Sequence, residues 1–280
     1  MRSNSQNYSV EDSRNYAEAR GYVSNPMKNR NVRKRLKTLD ADEFVRERHT
    51  FMDCARVFNN LSAKAGEKQV KTRADLESDL GTVLPYLTEM FGGATPRIRG
   101  IGIYDGPAAG EYDVFTRTIN VRPEIFKEKS ARIHRIMTHE AVHATPHRGY
   151  ANEALTEVLA AEITARVAEK TKDLRWTEAV YDDIMNWIGG TTILYKKLDE
   201  TGNTHSAQAR SIMKYATAPY FMVKDAVESG KDAIKYKGNE YDISALGRFW
   251  NEAKAQYKEL TTLDSLNKTD SRVKAYCRQK

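Results

Sequence analysis

Four of the six histidines, His134, His139, His143 and His147, fall within fourteen residues. His139 and His143 are four apart in a stretch that reads as a helix. They therefore project from one face about one turn apart and can share a zinc ion. Glu140 lies beside them, where a carboxylate can take a proton from a water that the metal activates. Two histidines leave a catalytic zinc site one protein donor short. His147 extends the four-residue spacing by one more step, past the end of the helix, and is an alternative ligand or transition-state group. His134 and His49 read as helix-surface residues, and His205 falls in a polar loop.

The missing donor is expected from the next helix. Pro146 disfavours helical geometry at Thr145, so the motif helix stops there and His147-Arg148-Gly149-Tyr150 makes a turn. A second helix then runs from Asn152 to about Lys170. Folded back antiparallel at the same rise per residue, it sets Glu153 level with His143 and Glu157 level with His139. The two glutamates are four apart and both can face the histidines. Ala160, Ala161 and Thr164 continue that face with small residues, which lets two helices approach closely.

Upstream, Asp40 with Glu43 reads as a capping box for a helix to about Ala65, striped by Phe44, Phe51, Ala55 and Phe58. Leu76, Leu80, Leu84, Leu87 and Phe91 mark a second helix, bent or divided near Pro85. Residues 97–104 read as a strand and Tyr112–Val121 as another, with Phe115, Ile119 and Val121 on one face. Ser130 is the expected N-cap of the motif helix. Downstream, helical stretches hold Val180, Ile184, Trp187 and Ile188 before Gly189-Gly190, then run from about Ser206 to Tyr215 and from Ile243 to Tyr257.

His139-Glu140-Ala141-Val142-His143 followed by Asn152-Glu153-Ala154-Leu155-Thr156-Glu157 resembles the gluzincin branch of the zincin metallopeptidases. The resemblance covers roughly residues 97–170. It implies zinc held by His139, His143 and Glu153, Glu140 as general base, and Glu157 as the carboxylate that orients His139. It also implies an edge strand that binds substrate backbone by β-addition, here Tyr112–Val121 with Thr118, Ile119 and Asn120 at its centre. Gluzincins commonly supply a Tyr or His from downstream to hold the developing oxyanion. Tyr150, His205, Tyr215 and Tyr220 all qualify by position. The metzincin pattern is excluded, because its third histidine would fall on Gly149 and its preceding glycine on Pro146.

An apolar content of 40 % with 30 % charged residues fits a soluble, mostly helical protein, and no segment has the length of a membrane span or a signal peptide. A cytoplasmic location is expected, with association to a virus particle as a variant of it. Cys54 and Cys277 stand far apart and read as free thiols. The charge of +7 is concentrated in residues 1–37, where nine Lys/Arg face three acids. That segment reads as a basic, flexible arm that could meet nucleic acid or an acidic partner, or simply be solvated.

The expected fold is thus α+β and mostly helical. A zincin-like core has a short β-sheet, an active-site helix and an antiparallel glutamate-bearing helix. The arm 1–37 precedes a metallopeptidase domain at 38–170, and a helical subdomain follows at 171–280. The expected function is zinc-dependent hydrolysis of a peptide or protein substrate. The alternative is a catalytically idle structural or assembly protein, for example of a viral or phage particle, acting through its basic arm.

Overall fold

The computed structural model describes residues 29–65, 70, 72–106, 108–145, 152–201, 206–236 and 238–262. His147, Tyr150, His205, Cys277 and residues 1–28 of the basic arm lie outside the described residues.

Helix α1 (Asn29–Lys37) occupies the end of the segment expected to be an arm. Val32 and Leu36, four apart, are fully buried on one side of it. Arg35 pairs with Asp225 and lies over the Phe221 ring. Two aliphatic residues one turn apart are enough to dock so short a helix, although they are too few to show as periodicity among the surrounding charges.

Helix α2 (Ala41–Ala65) begins where Asp40 Oδ1 accepts the Glu43 amide at 2.9 Å. The Glu43 side chain does not close a reciprocal box and reaches Lys224 instead. Helix α3 (Arg73–Met90) carries a full capping box, Thr72 with Asp75. It passes through Pro85 as one helix, held by the buried row Leu76, Leu80, Val83 and Leu87.

Strands β1 (Gly100–Ile103), β2 (Gly110–Asp113) and β3 (Thr118–Val121) form a sheet in the order β1-β3-β2. β1 pairs parallel to β3, and β2 antiparallel to it with Tyr112 opposite Ile119. The stretch Tyr112–Val121 is therefore two strands, and Phe115 lies in the turn between them, 58 % exposed. The Asp113 carboxylate accepts the Phe115 amide at 2.8 Å, and Arg117 takes a positive φ of 59°, which reverses the chain. Thr118, Ile119 and Asn120 consequently sit on the central strand, with neighbours on both sides. The edge strands are β1 and β2, and β2 is the one against the motif helix.

The motif helix α4 (Ser130–His143) starts after Lys129, one residue earlier than expected. Ser130 does not cap it; its Oγ accepts the Val70 amide at 2.9 Å. Helix α5 (Glu153–Thr171) is capped by Asn152, whose side chain accepts from the Leu155 amide, and is buried on nearly every side. Helix α6 (Leu174–Thr201) continues through Gly189-Gly190. These glycines do not end it, because Gly190 is a packing contact: a Cβ there would lie 2.4 Å from Ala216 Cβ. Ala216 belongs to a π-helical turn, Met213–Thr217, between α7 (Ala207–Ile212) and α8 (Ala218–Glu228). A hairpin of β4 (Ala233–Tyr236) and β5 (Asn239–Asp242), which the sequence reading lacked, leads to α9 (Ser244–Thr262).

The described molecule is thus mostly helical with a small three-stranded sheet. One apolar core runs from Val32 to Ala253, with α4, α5 and α6 packed on one another at its centre. Among the described residues no helix is long and apolar enough to cross a membrane.

Candidate metal centre

Helix α4 reaches the sheet at β2, and the contact is close. A Cβ on Gly110 would lie 2.6 Å from Ile136 Cγ2 and 3.2 Å from Glu140 Cγ. The Tyr112 amide, on the same strand, donates to Glu140 Oε2 at 2.8 Å. Tyr112 thus turns its backbone N–H away from β3. Alternation along an antiparallel pair then gives Gly110 the same outward direction.

On the other side α5 packs against α4. His139 Nε2 and His143 Nε2 lie 3.0 Å apart, and Glu153 Oε2 is 3.3 Å from each. His139 Nδ1 lies 3.2 Å from Glu157 Oε1. The antiparallel register expected from the Pro146 turn thus brings both glutamates to the histidines, each at a different nitrogen of His139.

This triangle has the form of a coordination site. Donors at zinc distances of about 2.0–2.1 Å in a tetrahedron are separated by about 3.3 Å. Two imidazole nitrogens and a carboxylate oxygen are also a donor set that suits zinc. Two neutral imidazoles whose Nε2 atoms meet at 3.0 Å need a proton or a cation between them. The residues present therefore fit the ion that the sequence reading implies.

Charge in the site points the same way. Burial works against charge on His139, yet Glu157, Glu153 and Glu140 outweigh it and lift its pKa well above the ordinary imidazole value. His143 is raised in the same manner by Glu153. Burial opposes ionisation of the glutamates, but His143 and His139 hold Glu153, and His139 with Arg135 holds Glu157, below the usual carboxylate range. The carboxylates thus favour positive charge, a proton or a cation, at the two imidazoles.

A cavity of about 400 Å³ opens onto this cluster, lined by residues 108–115, Arg135, Ile136 and Tyr215 besides the four site residues of α4 and α5 and Glu157. Tyr215 stands on the π-helical turn, 6.4 Å from the His139 ring between centroids. Of the downstream residues that qualified by position, Tyr215 lies in the cavity. Tyr220 is fully buried elsewhere, with its hydroxyl on Glu47. Thr118, Ile119 and Asn120 do not line the cavity; the neighbouring strand β2 does. His134 is not a surface residue: it is fully buried, 3.0 Å from Asp79 and stacked on Trp176.

Among the cavity residues that the sequence reading did not single out is Arg135. It precedes His139 by four, the same spacing that singled out His143, so its place on the histidine-bearing side of α4 was legible. Compared with known proteins, the chain matches no family model, no curated protein and no solved structure.

Proposed function

We propose that the chain is a zinc-dependent peptidase built on a zincin-like, gluzincin-type core. His139, His143 and Glu153 hold the ion and Glu140 is the general base. The observation that carries this reading is the convergence of His139 Nε2, His143 Nε2 and Glu153 Oε2 at 3.0–3.3 Å on a cavity that Glu140 also lines. When bound, zinc supplies Lewis acidity towards a carbonyl and towards water.

The chain's own residues supply the rest. Glu140 accepts a proton from the attacking water and returns it to the leaving amine. Glu157 holds the Nδ1 side of His139 and so fixes the direction of its Nε2. Tyr215, a phenol that is protonated at neutral pH, donates a hydrogen bond to the carbonyl oxygen as that oxygen gains charge. The outward edge of β2 offers the backbone of Gly110 and Tyr112 to an extended peptide. The Tyr112 amide is bonded to Glu140 before substrate arrives, so strand addition there exchanges one acceptor for another and frees the carboxylate.

The test is cleavage of an unfolded protein such as reduced casein by the zinc-loaded chain. Glu140→Gln should retain zinc and lose turnover by about 100-fold or more. Wild-type turnover in that variant would remove Glu140 from the reaction. A zinc-loaded wild type that cleaves no unfolded protein or peptide pool would refute the peptidase reading.

A further inference from the structure

We propose that Arg135 is a specificity-determining residue that receives a carboxylate of the substrate beside the scissile bond. The proposal rests on the peptidase reading and names the substrate class that this cavity takes. Arg135 lines the cavity, and its side chain is 24 % exposed. It precedes His139 by four on α4, so the two lie about 6 Å apart along the helix axis. Behind it, Nε lies 3.1 Å from Oδ1 of Asp183, whose side chain is 1 % exposed. Burial pushes the Asp183 carboxyl up, towards its neutral form, so Asp183 backs the guanidinium without cancelling its charge. Among the described residues none accepts a hydrogen bond from the terminal nitrogens of Arg135, and neither nitrogen is sealed from water.

The acids of the cavity wall are mostly committed elsewhere. Asp113 accepts the Phe115 amide, Glu140 accepts the Tyr112 amide, and Glu153 and Glu157 face the histidines. Glu111 remains, exposed on β2. Arg135 is the one Lys or Arg among the described residues lining the cavity. A guanidinium always carries its charge, and its planar fork meets a carboxylate with two parallel N–H donors, whereas a lysine offers a single point charge. Backed by Asp183 and mostly buried, this one is held in place before a ligand arrives, which lowers the cost of binding. An Asp or Glu side chain next to the cleaved bond and the free C-terminus of a peptide both present the matching pair of oxygens.

A salt bridge that merely ties α4 to α6 would lower stability when broken, so the test reads ratios that loss of folded protein does not move. Three kinds of peptide share one apolar sequence. The first is acid-free with an amidated C-terminus, the second is amidated with a single Glu moved along the sequence, and the third is acid-free with a free C-terminus. The zinc-loaded full chain should cleave the best Glu peptide, or the free-C-terminus peptide, with kcat/KM about tenfold or more above the acid-free amide. Whichever shows the gain assigns the carboxylate to a side chain or to the terminus. In the zinc-loaded Glu140→Gln chain the same peptide should bind about tenfold or more tighter than the acid-free amide, read by fluorescence anisotropy. Arg135→Gln should bring both ratios to about one, and Arg135→Lys should leave them in between. The lysine variant carries the comparison if the glutamine variant does not fold. Cleavage and binding that ignore the carboxylate would overturn the proposal and leave the peptidase reading standing. So would a preference that survives in Arg135→Gln or is unchanged in Arg135→Lys, which would give the carboxylate to the metal. A chain that cleaves and binds none of the peptides would take down both.

Discussion

Buried charge occurs at several places among the described residues, and the partners of each residue separate structure from chemistry. Glu47 is 5 % exposed; its Oε2 takes contacts from Tyr220 and from Lys224 at 3.0 Å, and its Oε1 pairs with Lys254 at 2.9 Å. Burial raises its pKa, but the two lysines and the tyrosine outweigh burial and hold it below the usual glutamate value. A depressed acid stabilises the fold above its unfolded pKa, and that stability is lost as pH falls through the folded value. Glu47→Gln should therefore cost about 3 kcal/mol at neutral pH, and the gap to wild type should close below about pH 4.5. Denaturant unfolding from pH 7 to 3 checks this; a gap independent of pH would assign the loss to packing. The histidine cluster differs in that its Nε2 atoms face one another and a cavity. His139, His143, Glu153 and Glu157 were legible because helical spacing pairs them on each helix and an antiparallel return brings the two pairs level. Tyr215 could not be told from Tyr220 by spacing, since a π-helical turn sets which of the two reaches the cavity.

At the scale of elements, the site depends on a strand pressed against a helix. Gly110 is required by that approach rather than by backbone conformation. In Gly110→Ala the new methyl meets Ile136 and Glu140, an overpacking that should cost about 1–3 kcal/mol and displace Glu140, the proposed general base. Thermal melting and casein cleavage should both decline, and adding Ile136→Ala should recover part of each. A variant with wild-type melting and turnover would show that β2 and α4 are free to separate. The helices were read well where apolar rows and caps agree, as for Ala41–Ala65 and Glu153–Thr171. The sheet was read poorly. Nothing in the run Tyr112–Val121 has the glycine of a two-residue hairpin, and the reversal relies on the Asp113 side chain and a left-handed Arg117. Gly189-Gly190 looked like a stop for the opposite reason, since glycines chosen for close packing carry the same signature as glycines that end a helix.

At the scale of the whole molecule, the ends of the described chain are tied together around the site. Helix α1 docks on α8 through Arg35 and Asp225, α2 and α9 meet where the Phe51 and Trp250 rings lie 4.8 Å apart, and α6 backs α4. These long-range contacts were not readable, because apolar periodicity shows that a face is buried without showing against what. The same packing spends part of the basic segment on the fold, which reduces what is left for a partner. The central claim remains that three side chains from two helices hold a metal. Its most direct test is the metal content of the purified full chain by elemental analysis after zinc loading and desalting. The account predicts about one zinc per chain in the wild type. It predicts loss of that zinc in His143→Ala and Glu153→Ala, and weakened retention in Glu157→Ala. Absence of zinc from a folded wild type, or full retention in Glu153→Ala, would contradict it.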